Sequence, residues 1–249
     1  MSRPGPRRGR APQPPAVLVV AGLDPTGGAG LAADAEAIHE AGARAWLVAA
    51  ALTAQGPKGA RGAFPVAPEL LVAQVDALLD GARPRAVKTG MLGSGANARA
   101  LAARLARLRA PLVVDPVLSA TSGLSLFDGT PADLAPLLAH AALTTPNWPE
   151  LEALAGRALE SEEEAVRAAR ELPARAVLVK GGHREGPPVD LLVRGRKVTR
   201  FTGRRRPGTA RGTGCRLASA IAARLALGEA LEDAVRAAKR YVERYLDRA

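Results

Sequence analysis

The chain is short of aromatic side chains: three Phe, two Trp and two Tyr make up 3% of it. Stacking platforms for single-stranded nucleic acid need more than that, so no such role is expected. It has one cysteine, Cys215, which excludes an internal disulfide and a thiolate zinc site. No apolar run approaches the roughly 18 residues of a membrane-crossing helix, so no membrane partner is expected. The first fifteen residues are rich in Arg and Pro and lack the apolar stretch of a secretory signal. Residues 1–15 read as a disordered basic leader, residues 16–249 as a single domain, and the cytoplasm as the location.

What is present suffices for a core. Of 249 residues, 47% are hydrophobic and 24% charged, which is ordinary globular usage and excludes wholesale disorder. The net charge is +11 and is unevenly placed. The leader holds four Arg, and the stretch from Arg194 to Arg216 holds nine basic residues and no acid. The remainder of the chain is slightly acidic. A band that dense implies an anion nearby, nucleic acid or a nucleoside triphosphate. With no nucleic-acid-binding motif in the chain, the triphosphate is the expected partner.

Short β-branched runs alternate with helical periodicity. Strands are predicted over 16–22, 45–53, 85–89, 111–115, 142–145 and 175–180, and a hairpin over 190–193 and 197–201. Helices are predicted over 28–42, 68–80, 95–109, 131–139, 148–155, 161–171, 214–227 and 230–247. That alternation implies an α/β fold with a mainly parallel sheet covered on both faces. Ligands in such folds bind beyond the carboxyl ends of the strands. Asp24, Gln55, Met91, Asp115, Asn147 and Lys180 all fall at or just after predicted strand ends, so they can share one crevice.

Two glycine-rich segments follow from this placement. Ala21–Leu31, after the first strand, is neither a dinucleotide fingerprint nor a Walker A loop. It signals a close backbone approach at a strand-to-helix turn. The second, Gly208–Ala220, contains Gly212-Thr213-Gly214-Cys215 at the start of an Ala-rich helix. Free amides and the positive helix end make an anion site there. The same field is expected to lower the pKa of the Cys215 thiol, although a lone cysteine can also be simple packing.

Seven segments in order carry a resemblance: Ala21–Asp34, Ala51–Gln55, Lys88–Leu92, Val114–Val117, Thr145–Glu150, Val179–His183 and Arg211–Cys215. Together they resemble the hydroxymethylpyrimidine and phosphomethylpyrimidine kinases of thiamine biosynthesis, in the ribokinase-like group. The resemblance covers about residues 16–249. It implies a three-layer α/β/α sandwich, a homodimer, and ATP with Mg2+ as cofactors. The implied activity phosphorylates 4-amino-5-hydroxymethyl-2-methylpyrimidine and then its monophosphate. A pyridoxal-type kinase, or a silent pyrimidine-binding regulator, is the alternative.

By the same resemblance, Gln55 would pair with the pyrimidine edge, for which an amide has both donor and acceptor. Gly22, Asp24, Met91 and Val117 would complete the substrate site. Lys180, Asn147, Thr213 and Arg211 would meet ATP phosphates, and Asp115 and Glu150 the metal. Gly212, Thr213, Gly214 and Cys215 would be catalytic, with Cys215 as the candidate base. Asn147 and Glu150 also have the spacing of a helix-capping box; the expectation is that they serve the phosphate end and not the cap. His183 reads as a turn residue. Four positions depart from the family pattern: Arg211 is usually His, Arg216 usually Thr, Thr121 usually Lys and Ala32 usually Gln. Arg216 in a first helical turn opposes the helix dipole, so it is expected to meet an anion or to reach solvent.

Overall fold

The computed structural model describes residues 13–56, 59–120, 123–182, 187–205 and 211–248. The remaining residues include most of the basic leader, Thr121, His183, and Gly208–Ala210 of the second glycine segment. Expectations for those lie outside the described residues.

The first strand, β1 (Ala16–Leu23), is buried along almost its whole length. It runs parallel to β2 (Arg44–Gly56) on one side and β4 (Ala86–Thr89) on the other. The parallel set continues through β6 (Leu112–Val114), β8 (Leu143–Thr144) and β9 (Val177–Val179). Antiparallel strands close both edges: β3 (Gly59–Pro65) beside β2, and β10 (Val189–Arg194) with β11 (Lys197–Thr202) beside β9. The resulting nine-stranded order is β11-β10-β9-β8-β6-β4-β1-β2-β3. A separate two-residue pair, β5 (Gly93–Ser94) and β7 (Phe127–Asp128), lies outside it.

Alternate residues of β1 feed two cores. Val17, Val19 and Ala21 face helices α1 (Gly30–Glu40), α7 (Thr213–Ala226) and α8 (Leu231–Leu246). Leu18 and Val20 face α2 (Pro68–Leu79), α3 (Gly95–Leu105) and α4 (Ala135–His140). Helices α5 (Trp148–Ala155) and α6 (Glu162–Glu171) pack on the β9–β10 end. Three layers result, as expected.

β3 was not foreseen. Its sequence, Gly-Ala-Arg-Gly-Ala-Phe-Pro, has no β-branched residue, and its pairing with β2 rather than its own propensity makes it a strand. Its register slips at Ala54/Gln55, a bulge at the very residue expected to read the substrate. Strand order reverses at β1, between β4 and β2, so the crevice above these carboxyl ends is the place to look for a ligand.

Candidate active site

The turn after β1 is folded around Asp24. Its Oδ1 accepts hydrogen bonds from the Thr26 amide (2.9 Å) and hydroxyl (2.8 Å). Its Oδ2 accepts from the Ala29 amide (3.0 Å), Gln55 Nε2 (3.2 Å) and Arg211 Nη2 (3.2 Å). Burial opposes ionisation, but the Thr26 hydrogen bonds, Arg211 and Gln55 outweigh it and hold the carboxyl below its ordinary range. Gln55, half-buried at the end of β2, thus keeps its carbonyl oxygen for another partner. Arg211, expected among the phosphate ligands, pairs with Asp24.

Gly22 lies against Met91: a Cβ on Gly22 would stand 2.7 Å from Met91 Sδ. Met91 shares a small apolar cluster with Ala51 and Leu126, flanked by Val117 and Ala63. This small apolar cluster includes Ala51 of Gln55's own strand.

The two glycine segments meet. Gly212 caps α7 in the left-handed conformation (φ 71°), and a Cβ there would stand 2.3 Å from Gly28 O. Only glycine meets both demands. Among the described residues, the Thr213, Gly214 and Cys215 amides have no hydrogen-bond acceptor, whereas Arg216 N–H already donates to Gly212 O at 2.9 Å. Gly214 turns its bare Cα toward Lys180: a Cβ would lie 3.2 Å from Lys180 Nζ and 4.0 Å from Asp115 Oδ2.

Beyond β6, β8 and β9 sits a buried ionic cluster. Lys180 Nζ donates to Asp115 Oδ1 at 2.8 Å and stands 3.6 Å from Glu150 Oε2. Thr145 Oγ1 donates to the same Asp115 oxygen at 3.0 Å. Burial works against charge on Lys180, but Asp115 and Glu150 dominate and raise its pKa well above the ordinary lysine value. Burial likewise opposes the Asp115 charge, and Lys180, Lys88 and the Thr145 hydroxyl reverse it. Glu150 is pushed up by burial.

Asn147 and Glu150 do form the cap. Glu150 N–H donates to Asn147 Oδ1 at 2.8 Å, and Asn147 N–H donates to Glu150 Oε2 at 2.7 Å. The pair, expected to serve the phosphate end and not the cap, makes the cap, and the capping bonds hold Glu150 in place beside Lys180.

The Cys215 thiol also departs from expectation. Its pKa is not lowered but pushed up to about 11, because burial, Asp34 and Asp115 outweigh Lys88 and the Gly30 amide. Arg216 does not reach solvent: it is 3% exposed and its anion is Glu36, at 2.6 Å. Four cations of the band find acids: Arg216 with Glu36 in the interior, Arg211 with buried Asp24, and Arg200–Glu162 and Lys197–Glu232 as exposed pairs.

One element of the site went unforeseen. Lys88 and Asp34 form a fully buried pair at 2.8 Å, and Ser219 Oγ donates to Asp34 at 2.8 Å. This pair ties β4 to α1 and α7 directly beneath Cys215, whose ionisation both members influence. A lysine inside the apolar strand Ala86–Thr89 was the available signal.

A family model described as phosphomethylpyrimidine kinase matches residues 24–249. The thiamine biosynthesis bifunctional protein ThiED of Geobacter sulfurreducens is 42% identical over 86% of this chain, which spans only 45% of that protein. The hydroxymethylpyrimidine/phosphomethylpyrimidine kinase of Streptomyces coelicolor is 40% identical over 84% of this chain and 80% of its own length. Among solved structures, a phosphomethylpyrimidine kinase from Clostridium difficile has 32% identity and a TM-score of 0.79, over 93% of this chain and 99% of that one. A pyridoxal kinase from Staphylococcus aureus in complex with ADP has 28% identity and a TM-score of 0.83, over 93% and 87%. With the family model covering all but the first strand and leader, the chain belongs to the phosphomethylpyrimidine kinase family.

Proposed function

We propose that this chain transfers the γ-phosphoryl group of ATP to the hydroxymethyl group of 4-amino-5-hydroxymethyl-2-methylpyrimidine, and then phosphorylates the monophosphate. The observation that carries the reading is the approach of Gly214 to Lys180 and Asp115: the N-terminus of α7 faces a buried lysine–carboxylate cluster. The Gly212–Cys215 amides would hold the transferring phosphoryl oxygens, and Lys180 would stabilise charge on the nucleotide phosphates.

Gln55 would pair with the aminopyrimidine edge, with Met91 and Val117 against the ring and Gly22 allowing the close approach. The hydroxyl oxygen attacks phosphorus in line as the bond to the ADP oxygen breaks. Because the transition state is loose, the hydroxyl proton leaves late. A thiol with a pKa near 11 is protonated at neutral pH, so Cys215 would act chiefly through its amide and contacts rather than as a resting thiolate.

Mg2+ is bound by one or two carboxylates plus substrate phosphates. Two buried carboxylates beside Lys180 fit that donor chemistry, although no cluster of three or more ligand side chains exists among the described residues. Asp115 and Glu150 would hold the ion, which would neutralise phosphate charge.

Assembly as a homodimer is part of this proposal. Leu23, Leu52 and Phe64 are direct cross-strand neighbours, 40%, 49% and 61% exposed, and a second copy would cover them. No helix of the described residues is long and apolar enough to cross a membrane, and a cytoplasmic location is part of the proposal. The experiment that tests the reading is phosphorus NMR of ATP with hydroxymethylpyrimidine and enzyme. A phosphomonoester resonance followed by a diphosphate is expected; ATP left intact overturns it.

A further inference from the structure

Arg216 occupies an electrostatically poor position. It carries a positive charge in the first turn of α7, where the helix end is itself positive, and it is 3% exposed. Its buried Nε finds no hydrogen-bond partner among the described residues. What fixes the guanidinium is the set of contacts around the rest of the group. Nη1 donates to Gly28 O at 2.9 Å and, more weakly, to Arg211 O at 3.4 Å. Nη2 donates to Glu36 Oε2 at 2.6 Å. The plane lies over the Tyr245 ring, with Cζ 4.0 Å from its centroid, and Tyr245 Oη donates to Arg211 O at 3.3 Å.

These contacts span four separate segments: the first glycine turn, the backbone before α7, the middle of α1 and the last turn of α8. The first two are the glycine segments that meet at the start of α7. The other two are scaffold, meeting around a cavity of about 180 Å³ lined by Glu36, Glu40, Tyr241, Tyr245 and Arg248. A flexible ammonium could not make this arrangement, because it has no planar fork and no face to stack.

We propose that Arg216 is a positioning residue. It locks the two glycine segments against each other and anchors both to Glu36 and Tyr245, and so sets where the Gly212–Cys215 amides stand without touching substrate. Tyr245, in the last turn of the last helix, thereby becomes part of the active-site support. The proposal rests on the reading of those amides as the phosphoryl site. Displacing reacting groups by about 1 Å can cost up to about a hundredfold in rate, so the effect belongs in kcat rather than in substrate affinity.

The test uses Arg216→Lys, Tyr245→Ala and Tyr245→Phe in the full chain, with Leu71→Ala as a control that destabilises the remote α2 core. Both Arg216→Lys and Tyr245→Ala should lower kcat about tenfold or more, with the pyrimidine KM nearly unchanged. Tyr245→Phe keeps the stacked ring and should stay near wild type. Leu71→Ala should lower Tm and leave kcat alone. Independently of activity, amide hydrogen exchange should accelerate in peptides covering 28–31 and 211–216 in the first two variants and not in α2. If Arg216→Lys fails to fold, Tyr245→Ala carries the same comparison. Wild-type exchange in both peptides overturns the proposal whether or not the enzyme is active. So does a lowered Tm with wild-type kcat. Absence of phosphoryl transfer by the wild-type chain would instead refute the kinase reading.

Discussion

Lys180 Nζ and Asp115 Oδ1 lie 2.8 Å apart, bringing together groups 65 residues distant at the ends of β9 and β6. Asp115 is 1% exposed and depends on that ammonium for its charge. Lys180→Met should therefore lose about 3–5 kcal/mol of stability by stranding the carboxylate. The double variant Lys180→Met/Asp115→Asn should recover part of that, and both should be inactive. Thermal unfolding of the three proteins measures it.

Gln55 donates to Asp24 at 3.2 Å, and in the proposed function its carbonyl oxygen would accept from the substrate amino group. Gln55→Leu should strand a buried pyrimidine edge at about 1–3 kcal/mol, which is roughly ten- to a hundredfold in kcat/KM. Steady-state kinetics with hydroxymethylpyrimidine measure it, and wild-type kcat/KM would remove Gln55 from the substrate site.

Glu150 caps α5 and also stands near Lys180, so its two roles must be separated. Glu150→Gln keeps an oxygen for the Asn147 amide and should change stability by less than the 0.5–2 kcal/mol of a lost cap, roughly. It removes the negative charge, so the magnesium concentration giving half-maximal turnover should rise. Melting and magnesium titration of the same sample decide between the roles. Unchanged magnesium dependence would leave Glu150 as a cap alone.

Much of this site was legible from residue order. The strand ends named Asp24, Gln55, Met91, Asp115, Asn147 and Lys180, and the parallel sheet brings them to one side. What could not be read was how charges settle their accounts in three dimensions. For Arg216 the sequence left an anion or solvent open, because Glu36, 180 residues away, gives no local signal. Cys215 looked like an activated thiol because a helix start shows only its local field; burial, with Asp34 and Asp115 from other elements, raises its pKa instead. β3 escaped for the converse reason: neither its Gly and Ala nor its exposed Phe64 marks a strand until β2 is beside it.

The thiol yields a prediction opposite to that of the helix field alone. With its pKa near 11 in place of an ordinary 9.0, labelling of Cys215 by iodoacetamide at pH 7 should be roughly a hundredfold slower than that of a free cysteine. A thiol whose folded pKa is raised stabilises the fold below about pH 9 and loses that contribution as pH climbs toward 11. Cys215→Ser should flatten that part of the stability profile relative to wild type. Gly214→Val should cost more activity than Cys215→Ser, since its side chain must push Lys180 from a 3.2 Å contact. Rapid labelling at pH 7 would restore the activated thiolate.

Phosphorylation of an aminopyrimidine in this crevice has a concrete rival in the likeness to pyridoxal kinase. The most direct measurement is ADP release, coupled to NADH oxidation, with hydroxymethylpyrimidine, its monophosphate and pyridoxal offered separately to one enzyme preparation. Turnover is expected with both pyrimidines, with a kcat/KM for pyridoxal far below that for hydroxymethylpyrimidine. Turnover with pyridoxal alone, or with none of the three, would contradict it.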